Sequence, residues 1–357
     1  MTNRRQTKQI RIGNVTIGGN NPIALQSMTN AATLEGILAQ MEQLQSIGCD
    51  IVRMAVPDMN TVAMIHQLKN SGITMPIVAD IHFDYRLAVE SVAAGADKIR
   101  INPGNIGAPE NTRAVVKACG DNIPIRIGVN GGSLEADILR KHGSVTPQAL
   151  VDSAVSNIQL LEKYDFSNIV VSVKSSKVTH MIEANRMLSE LYHYPLHLGV
   201  TEAGTVKTGT IKGAVGIGGL LATGIGDTVR VSLTGPLTEE IVTGREILKA
   251  ADRWHGGGIN VISCPTCARA KVDIATIASS LEDATTKLQY NMSKMLTVAV
   301  MGCAVNGPGE AKDAHLGIAC GDGEGLLFKH GKPLRKVAEK DILSALIEEI
   351  QAEIGEN

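Results

Sequence analysis

From residue 22 to residue 235 the chain switches repeatedly between two patterns of apolar and polar positions. Short runs rich in Ile, Val and Leu end in polar residues. After each comes a stretch whose apolar residues recur at three- and four-residue spacing. The first pattern predicts strands and the second amphipathic helices. The strand-like runs are PIALQSM from Pro22, DIVRMAVP from Asp50, PIVADIHF from Pro76, DKIRINPG from Asp97, PIRIGVN from Pro124, NIVVSVKSS from Asn168, PLHLGVTE from Pro195 and DTVRVSLTG from Asp227. Their starts lie 21 to 44 residues apart, mostly the length of one βα unit.

The intervening stretches carry helix start and stop signals. Thr146 can cap a helix with Pro147 in its first position, and Leu150, Val151, Ala154, Val155, Ile158 and Leu161 then fall on one face. A helix from Thr33 is expected to bury Ile37, Leu38, Met41 and Leu44 and to stop before Gly48. Near-continuous apolar strands alternating with such helices mean a parallel sheet covered by helices. Eight units point to a closed (β/α)8 TIM barrel over residues 1–250 rather than an open doubly wound sheet. Gly256, Gly257 and Gly258 suit a linker. Residues 259–357 then read as a small α+β domain: IATIASSLEDATTKL as an amphipathic helix, AHLGIAC and GLLFKHG as paired strands, and DILSALIEEIQAEI as a closing helix.

Composition narrows the class. Hydrophobic residues make up 44% and charged residues 20%, ordinary for a globular protein, while aromatics are only 3%, so the core must be built from aliphatic residues. A net charge of −2 argues against a general nucleic-acid or membrane-surface role. The polar N-terminus lacks a secretory signal, and no run approaches the ~18 apolar residues of a spanning helix, so a cytoplasmic protein is expected. Six cysteines are too few for a disulfide framework, and clustered cysteines in a reducing compartment more often bind metal or do redox chemistry.

Barrels place their chemistry at the C-terminal ends of strands. From the second strand onward those ends offer Arg53; Asp80 and His82; Arg100 and Asn102; Arg126 and Asn130; Lys174; Glu202; and Arg230 with Ser232. Five of the eight ends carry a cation, more than the carboxylates there can pair, so a multiply charged anion is the simplest partner. Lys212, early in the helix after the seventh strand, can join the same site.

A second kind of chemistry follows the barrel. Cys264 and Cys267 form a CxxC pair, and a strand-like TVAVMG runs into Cys303 and a turn with Gly307, Pro308 and Gly309. A structural zinc site wants four closed ligands, usually two such pairs, and no second CxxC is present. Three thiolates with one different ligand fit an iron–sulfur cluster better. Glu310 is one candidate for the fourth position and Cys320 its rival; a carboxylate leaves an exchangeable iron, whereas a fourth thiolate suits an electron relay. Cys49 and Cys119 read as core residues. No GxGxxG follows a strand, so electrons are expected from a partner rather than from a bound nicotinamide or flavin.

The strings ADIHFD, IRINPGN, IRIGVN, VSVKSS, LGVTEAG, GIGDTVRVSL, SCPTC and GCAVNGPGE together resemble the family of bacterial 4-hydroxy-3-methylbut-2-enyl diphosphate synthases over essentially the whole chain. The resemblance implies a 4Fe–4S cluster on Cys264, Cys267, Cys303 and Glu310. It implies reductive ring opening and dehydration of 2-C-methyl-D-erythritol 2,4-cyclodiphosphate, with two electrons from reduced flavodoxin or ferredoxin. It also implies a head-to-tail homodimer. The cationic rim then becomes the seat of the cyclic diphosphate. Glu202, Asp80, His82 and Glu240 are all within reach as proton donors, and Glu310 would act at the metal.

Overall fold

The computed structural model describes residues 3–286, 288, 292–303 and 311–355. The chain divides into two units, Met1–Trp254 and His255–Asn357.

The first unit opens with a hairpin of β1 (Ile10–Ile12) and β2 (Val15–Ile17), whose Ile10, Ile12 and Ile17 are buried. Eight parallel strands follow: β3 (Ala24–Met28), β4 (Ile51–Ala55), β5 (Ile77–Asp80), β6 (Lys98–Ile101), β7 (Ile125–Asn130), β8 (Ile169–Lys174), β9 (His197–Leu198) and β10 (Thr228–Val229). They run in the order β8-β7-β6-β5-β4-β3-β10-β9. A parallel bridge from Val171 to Leu196, with the Val171 N–H donating to Pro195 O at 2.9 Å, joins the two ends and closes the ring. The fold is the expected (β/α)8 barrel.

The covering helices are α1 (Leu34–Ser46), α2 (Met59–Asn70), α3 (Tyr85–Ala93), α4 (Pro109–Cys119), α5 (Ala136–His142), α6 (Pro147–Glu162), α7 (Val178–Leu191), α8 (Val206–Gly213), α9 (Gly219–Ala222) and α10 (Leu237–Ala250). The extra helix α5 accounts for the longest interval between strand starts. Thr33 caps α1 by accepting from the Gly36 N–H, and Thr146 caps α6 by accepting from Ala149. Alternate strand residues such as Val52, Ile77, Ile99, Ile125 and Leu198 face these helices in one continuous apolar core. Cys49 and Cys119 lie in that core, where burial pushes each thiol up to about 12.

Strands β9 and β10 are shorter than their sequence runs, with two residues each. Beyond β9 the chain is crowded at Gly199, where a Cβ would meet Lys174 Nζ and Arg230 O at 2.8 Å each. Glycine there leaves room for the Lys174 side chain and for the backbone carbonyl of Arg230.

The hairpin packs with Ala24, Ile51, Val78 and Val170, which lie at or near the starts of four barrel strands. It therefore plugs the N-terminal end of the barrel with apolar side chains.

The second unit is a five-stranded mixed sheet in the order β11-β12-β13-β14-β15. Its strands are β11 (Gly258–Ser263), β12 (Met295–Met301), β13 (Leu316–Cys320), β14 (Glu324–Lys329) and β15 (Lys332–Ala338), with helices α11 (Ile274–Thr285) and α12 (Ile342–Gly355). Its separate core includes Leu281, Val298, Val300, Ile318, Leu327 and Leu346. Gly258, expected in the linker, is the first residue of β11 and pairs with Met295. Among the described residues, no helix is long and apolar enough to cross a membrane.

Candidate active site

Barrel-facing positions are set by the strand period of two. On β6 the alternation places both Lys98 and Arg100 inside, and on β7 it selects Arg126 and then Gly128. Register aligns Asp80 of β5 with Arg100, and Arg100 with Arg126. Gly128 has a definite reason: a Cβ there would meet Arg100 Nε at 2.2 Å, so only glycine lets that guanidinium lie across the strand.

Asp80, 2% exposed, is the hub of this layer. Its Oδ1 accepts from Arg100 Nη1 at 2.8 Å, and its Oδ2 lies 3.5 Å from Arg53 Nε and 3.9 Å from His82 Nε2. Burial pushes the Asp80 carboxyl up, but the guanidiniums of Arg100, Arg53 and Arg126 together outweigh it and hold the group below the usual carboxylate range. An ionised carboxylate accepts hydrogen bonds and has no proton to give.

Arg100 also donates to Gly128 O at 3.1 Å, and Arg53 reaches the Met28 sulfur. Burial, only partly offset by Asp80, lowers Arg53 to about 10.

On the other side of the ring Arg230 donates to Ser232 Oγ at 2.6 Å and to Glu240 Oε1 at 2.9 Å. Glu240, 2% exposed, also accepts from the Leu233 N–H at 3.2 Å and from Ser27 Oγ at 2.9 Å. Its Oε1 thus holds Arg230 and the loop after β10, and its Oε2 is taken by Ser27 of β3. Lys174 is buried, and burial followed by the charges of Arg53 and Arg230 drives its amine well below its ordinary value.

The interior of the barrel thus gathers six basic side chains, Arg53, Lys98, Arg100, Arg126, Lys174 and Arg230, against the two carboxylates Asp80 and Glu240. Such an excess is costly out of water unless an anion completes it.

Other expected rim residues are placed less tightly. Asn102 is buried, and its Oδ1 accepts from the Gly104 N–H at 3.3 Å. Asn130 is half-buried beside Lys174 in register. His82 and Glu202 are exposed, and Glu202 has a left-handed backbone with φ of 51°. Lys212 falls in the last turn of α8 and is half-buried. Two interior groups were not singled out in the sequence, Lys98 and His197, both fully buried. Their signal was present, since each alternates with a neighbour that faces the helices.

In the second unit β11 and β12 run parallel and in register, with Ser263 opposite Val300. Parallel strands deliver their C-terminal ends to one edge, and here those ends lead into Cys264 and into Gly302 and Cys303. Cys264 Sγ accepts from the Gly302 N–H at 3.2 Å. The turn between Cys264 and Cys267 passes through Thr266 with φ of 61°, an unusual conformation for a β-branched residue. Cys264, Cys267 and Cys303 line one cavity of about 560 Å³ together with Ile262, Met301 and Arg269. A hydrogen bond from the Arg269 side chain lowers the Cys267 thiol from its ordinary value, favouring thiolate.

Among the described residues no three His, Cys, Asp or Glu side chains gather tightly enough for one metal ion. The thiols instead surround a space, the arrangement a multi-iron cluster needs. Cys320 belongs to the apolar core and is not among the residues lining the cavity; burial raises its thiol to about 11. Glu310 lies outside the described residues.

Comparison with known proteins agrees along the whole chain. Residues 7–245 match the GcpE TIM-barrel domain and residues 260–352 the GcpE protein C-terminal domain. A 4-hydroxy-3-methylbut-2-en-1-yl diphosphate synthase (flavodoxin) of Caldanaerobacter subterraneus subsp. tengcongensis is 53% identical over 356 residues, covering 99% of each chain. The protein of the same name from Clostridium perfringens is 52% identical, covering 98% of this chain and 99% of its own. Among solved structures, a type I 3-dehydroquinate dehydratase from Clostridium difficile shares the fold, with a TM-score of 0.50 at 14% identity over 68% of this chain and 97% of its own. The chain belongs to the GcpE family, the 4-hydroxy-3-methylbut-2-en-1-yl diphosphate synthases (flavodoxin).

Proposed function

We infer that this chain opens 2-C-methyl-D-erythritol 2,4-cyclodiphosphate reductively and dehydrates it to 4-hydroxy-3-methylbut-2-enyl diphosphate, taking two electrons from reduced flavodoxin, the donor in its relatives' names. The observation that carries the reading is the cationic barrel interior, whose basic side chains outnumber its carboxylates three to one. At full ionisation the reaction balances as the doubly charged ring, two electrons and one proton giving the triply charged open diphosphate and water.

Arg53, Arg100, Arg126, Lys174 and Arg230 hold the diphosphate, with His82, Asn102, Asn130, Lys212 and Ser232 completing the rim. Asp80 and Glu240 set the guanidiniums in place: one anchors Arg100 and Arg53, the other Arg230. Since Asp80 is ionised and Glu240 is fully engaged, the exposed Glu202 and His82 are left as the groups to move a proton to the leaving hydroxyl.

Cys264, Cys267 and Cys303 would hold a 4Fe–4S cluster, with Glu310 as fourth ligand. When bound it would supply electrons and a Lewis-acidic iron. Ile262 and Met301 keep that cavity partly apolar, and Arg269 steadies the Cys267 thiolate. A head-to-tail homodimer would bring one subunit's thiol cavity to the other's barrel, and size-exclusion chromatography with light scattering is expected to give twice the chain mass.

The function is tested by anaerobic purification, analysis of iron and sulfide, and turnover of the cyclic diphosphate with a chemical reductant. An intact cluster without turnover would overturn it. Glu310→Cys is expected to keep its iron and sulfide yet lose turnover by about ten- to a hundredfold, the scale on which a metal's immediate surroundings act. Full activity in that variant would remove the carboxylate from the mechanism and leave the cluster standing.

A further inference from the structure

Lys98 adds to the barrel's excess of basic side chains but has no part in holding the diphosphate at its rim. Lys98 precedes Arg100 by two residues on β6, so its side chain enters the barrel one layer below the rim. It is 0% exposed, and among the described residues its Nζ finds no hydrogen-bond partner. The charges that act on it, Arg126 and Arg53, have its own sign. An isolated ammonium in that position is strongly disfavoured, and the simplest relief is loss of its proton. Burial first, and those two guanidiniums after it, drive the amine well below its ordinary value.

We propose that Lys98 is a neutral amine in the free protein and takes up a proton when the cyclic diphosphate occupies the rim above it. The inference rests on the function proposed above. Each phosphorus of the ring carries one ester and one anhydride oxygen and a single strongly acidic hydroxyl, so the ligand arrives with its negative charges already in place and no weakly acidic hydroxyl on phosphorus. Seated on Arg53, Arg100 and Arg126, those charges cancel the field that keeps Lys98 neutral, and an ammonium becomes the favoured form.

The remaining charged or titratable groups facing this space are Asp80 on β5, Lys174 on β8, His197 on β9, Arg230 on β10 and Glu240 on α10. Asp80 is committed to Arg100 and Arg53, and Glu240 to Arg230. His197 Nδ1 lies 2.6 Å from Thr228 Oγ1, and burial, followed by the charge of Arg126, keeps that ring neutral. Lys174, lowered by burial and by neighbouring guanidiniums in the same way, gains a proton on its own account, so Lys98 contributes one proton to the uptake and a variant at Lys98 isolates it. Lys98 is a positioning residue in this scheme, storing charge beneath the substrate without touching it.

The test is calorimetric titration of the unreduced holoenzyme with the cyclic diphosphate near neutral pH, in two buffers of different ionisation enthalpy. Without reductant the ring is not opened, and the buffer dependence counts protons bound. The wild type is expected to take up about one proton more per site than Lys98→Met, which keeps an unbranched side chain one atom shorter and without the amine. Its Kd should correspondingly rise by up to about tenfold more per pH unit than the variant's. Equal proton counts in the two proteins overturn the proposal. Lys98→Gln repeats the comparison should the Met variant fail to fold, and absence of proton uptake by the wild type is equally fatal. Failure of the wild type to bind the ring at all would instead sink the substrate assignment beneath the proposal.

Discussion

Replacing Cys264 with Ser is expected to strip the anaerobically purified protein of iron and sulfide and to lower turnover by more than about a hundredfold, since altering even the residues around a ligand costs ten- to a hundredfold. The reason is positional as much as chemical. Cys264 stands where β11 ends, its sulfur already accepts from the Gly302 N–H at 3.2 Å, and it shares a cavity with Cys267 and Cys303. A serine there offers a harder and far less acidic donor. The second unit should also lose stability, because Cys264 packs against both of its apolar clusters.

Cys320→Ala is the matched control. That thiol is 1% exposed in the core, so its removal is expected to lower the melting temperature and leave the iron content intact. If iron followed Cys320 and ignored Cys264, the ligand assignment would be wrong.

Asp80→Asn should give the largest change in stability. Removing one partner of a buried ion pair leaves the others uncompensated and costs about 3–5 kcal/mol. Here Arg100 and Arg53 would both lose their counter-ion. For a domain of this size the melting temperature should fall by on the order of 10 °C. The pH dependence identifies the cause. Because the folded-state carboxyl is held below its unfolded value, its contribution is complete above about pH 4 and is lost as pH falls through the folded value. The gap between parent and variant should therefore be constant near neutrality and close in acid. A gap that persisted unchanged at pH 2 would assign the effect to packing instead.

The barrel was legible because its strands are apolar along nearly their whole length and its helices carry capped, periodic faces. Cys264 and Cys267 stand out in the sequence as a CxxC pair and Cys303 as the end of a strand-like run, whereas the strand β11 that leads into Cys264 is hidden behind its glycines. Three features were not read. The hairpin β1–β2 has only three residues in each strand, although Ile10, Arg11 and Ile12 alternate around a Gly–Asn turn. Strand β15 is largely exposed and built of Lys, Pro, Leu, Arg, Lys, Val and Ala, so hydrophobic patterning has little to register. Lys98 is hard to read because a lysine in a sequence suggests solvent, although its alternation with Ile99, which faces the helices, turns it inward. The anchoring parts of Asp80 and Glu240 were likewise hidden: a carboxylate at a strand end and one on a following helix look alike until their partners are in place.

The hairpin has a consequence for traffic. With Ile10, Ile12 and Ile17 stoppering one end, the barrel is a vessel with a single mouth. Whatever enters to meet the cations must leave by the same opening. Spent product therefore obstructs the next arrival, while Arg4 and Arg5, bonded to Asp227 and Gly224 just ahead of β10, lie on the sealed side, clear of that route.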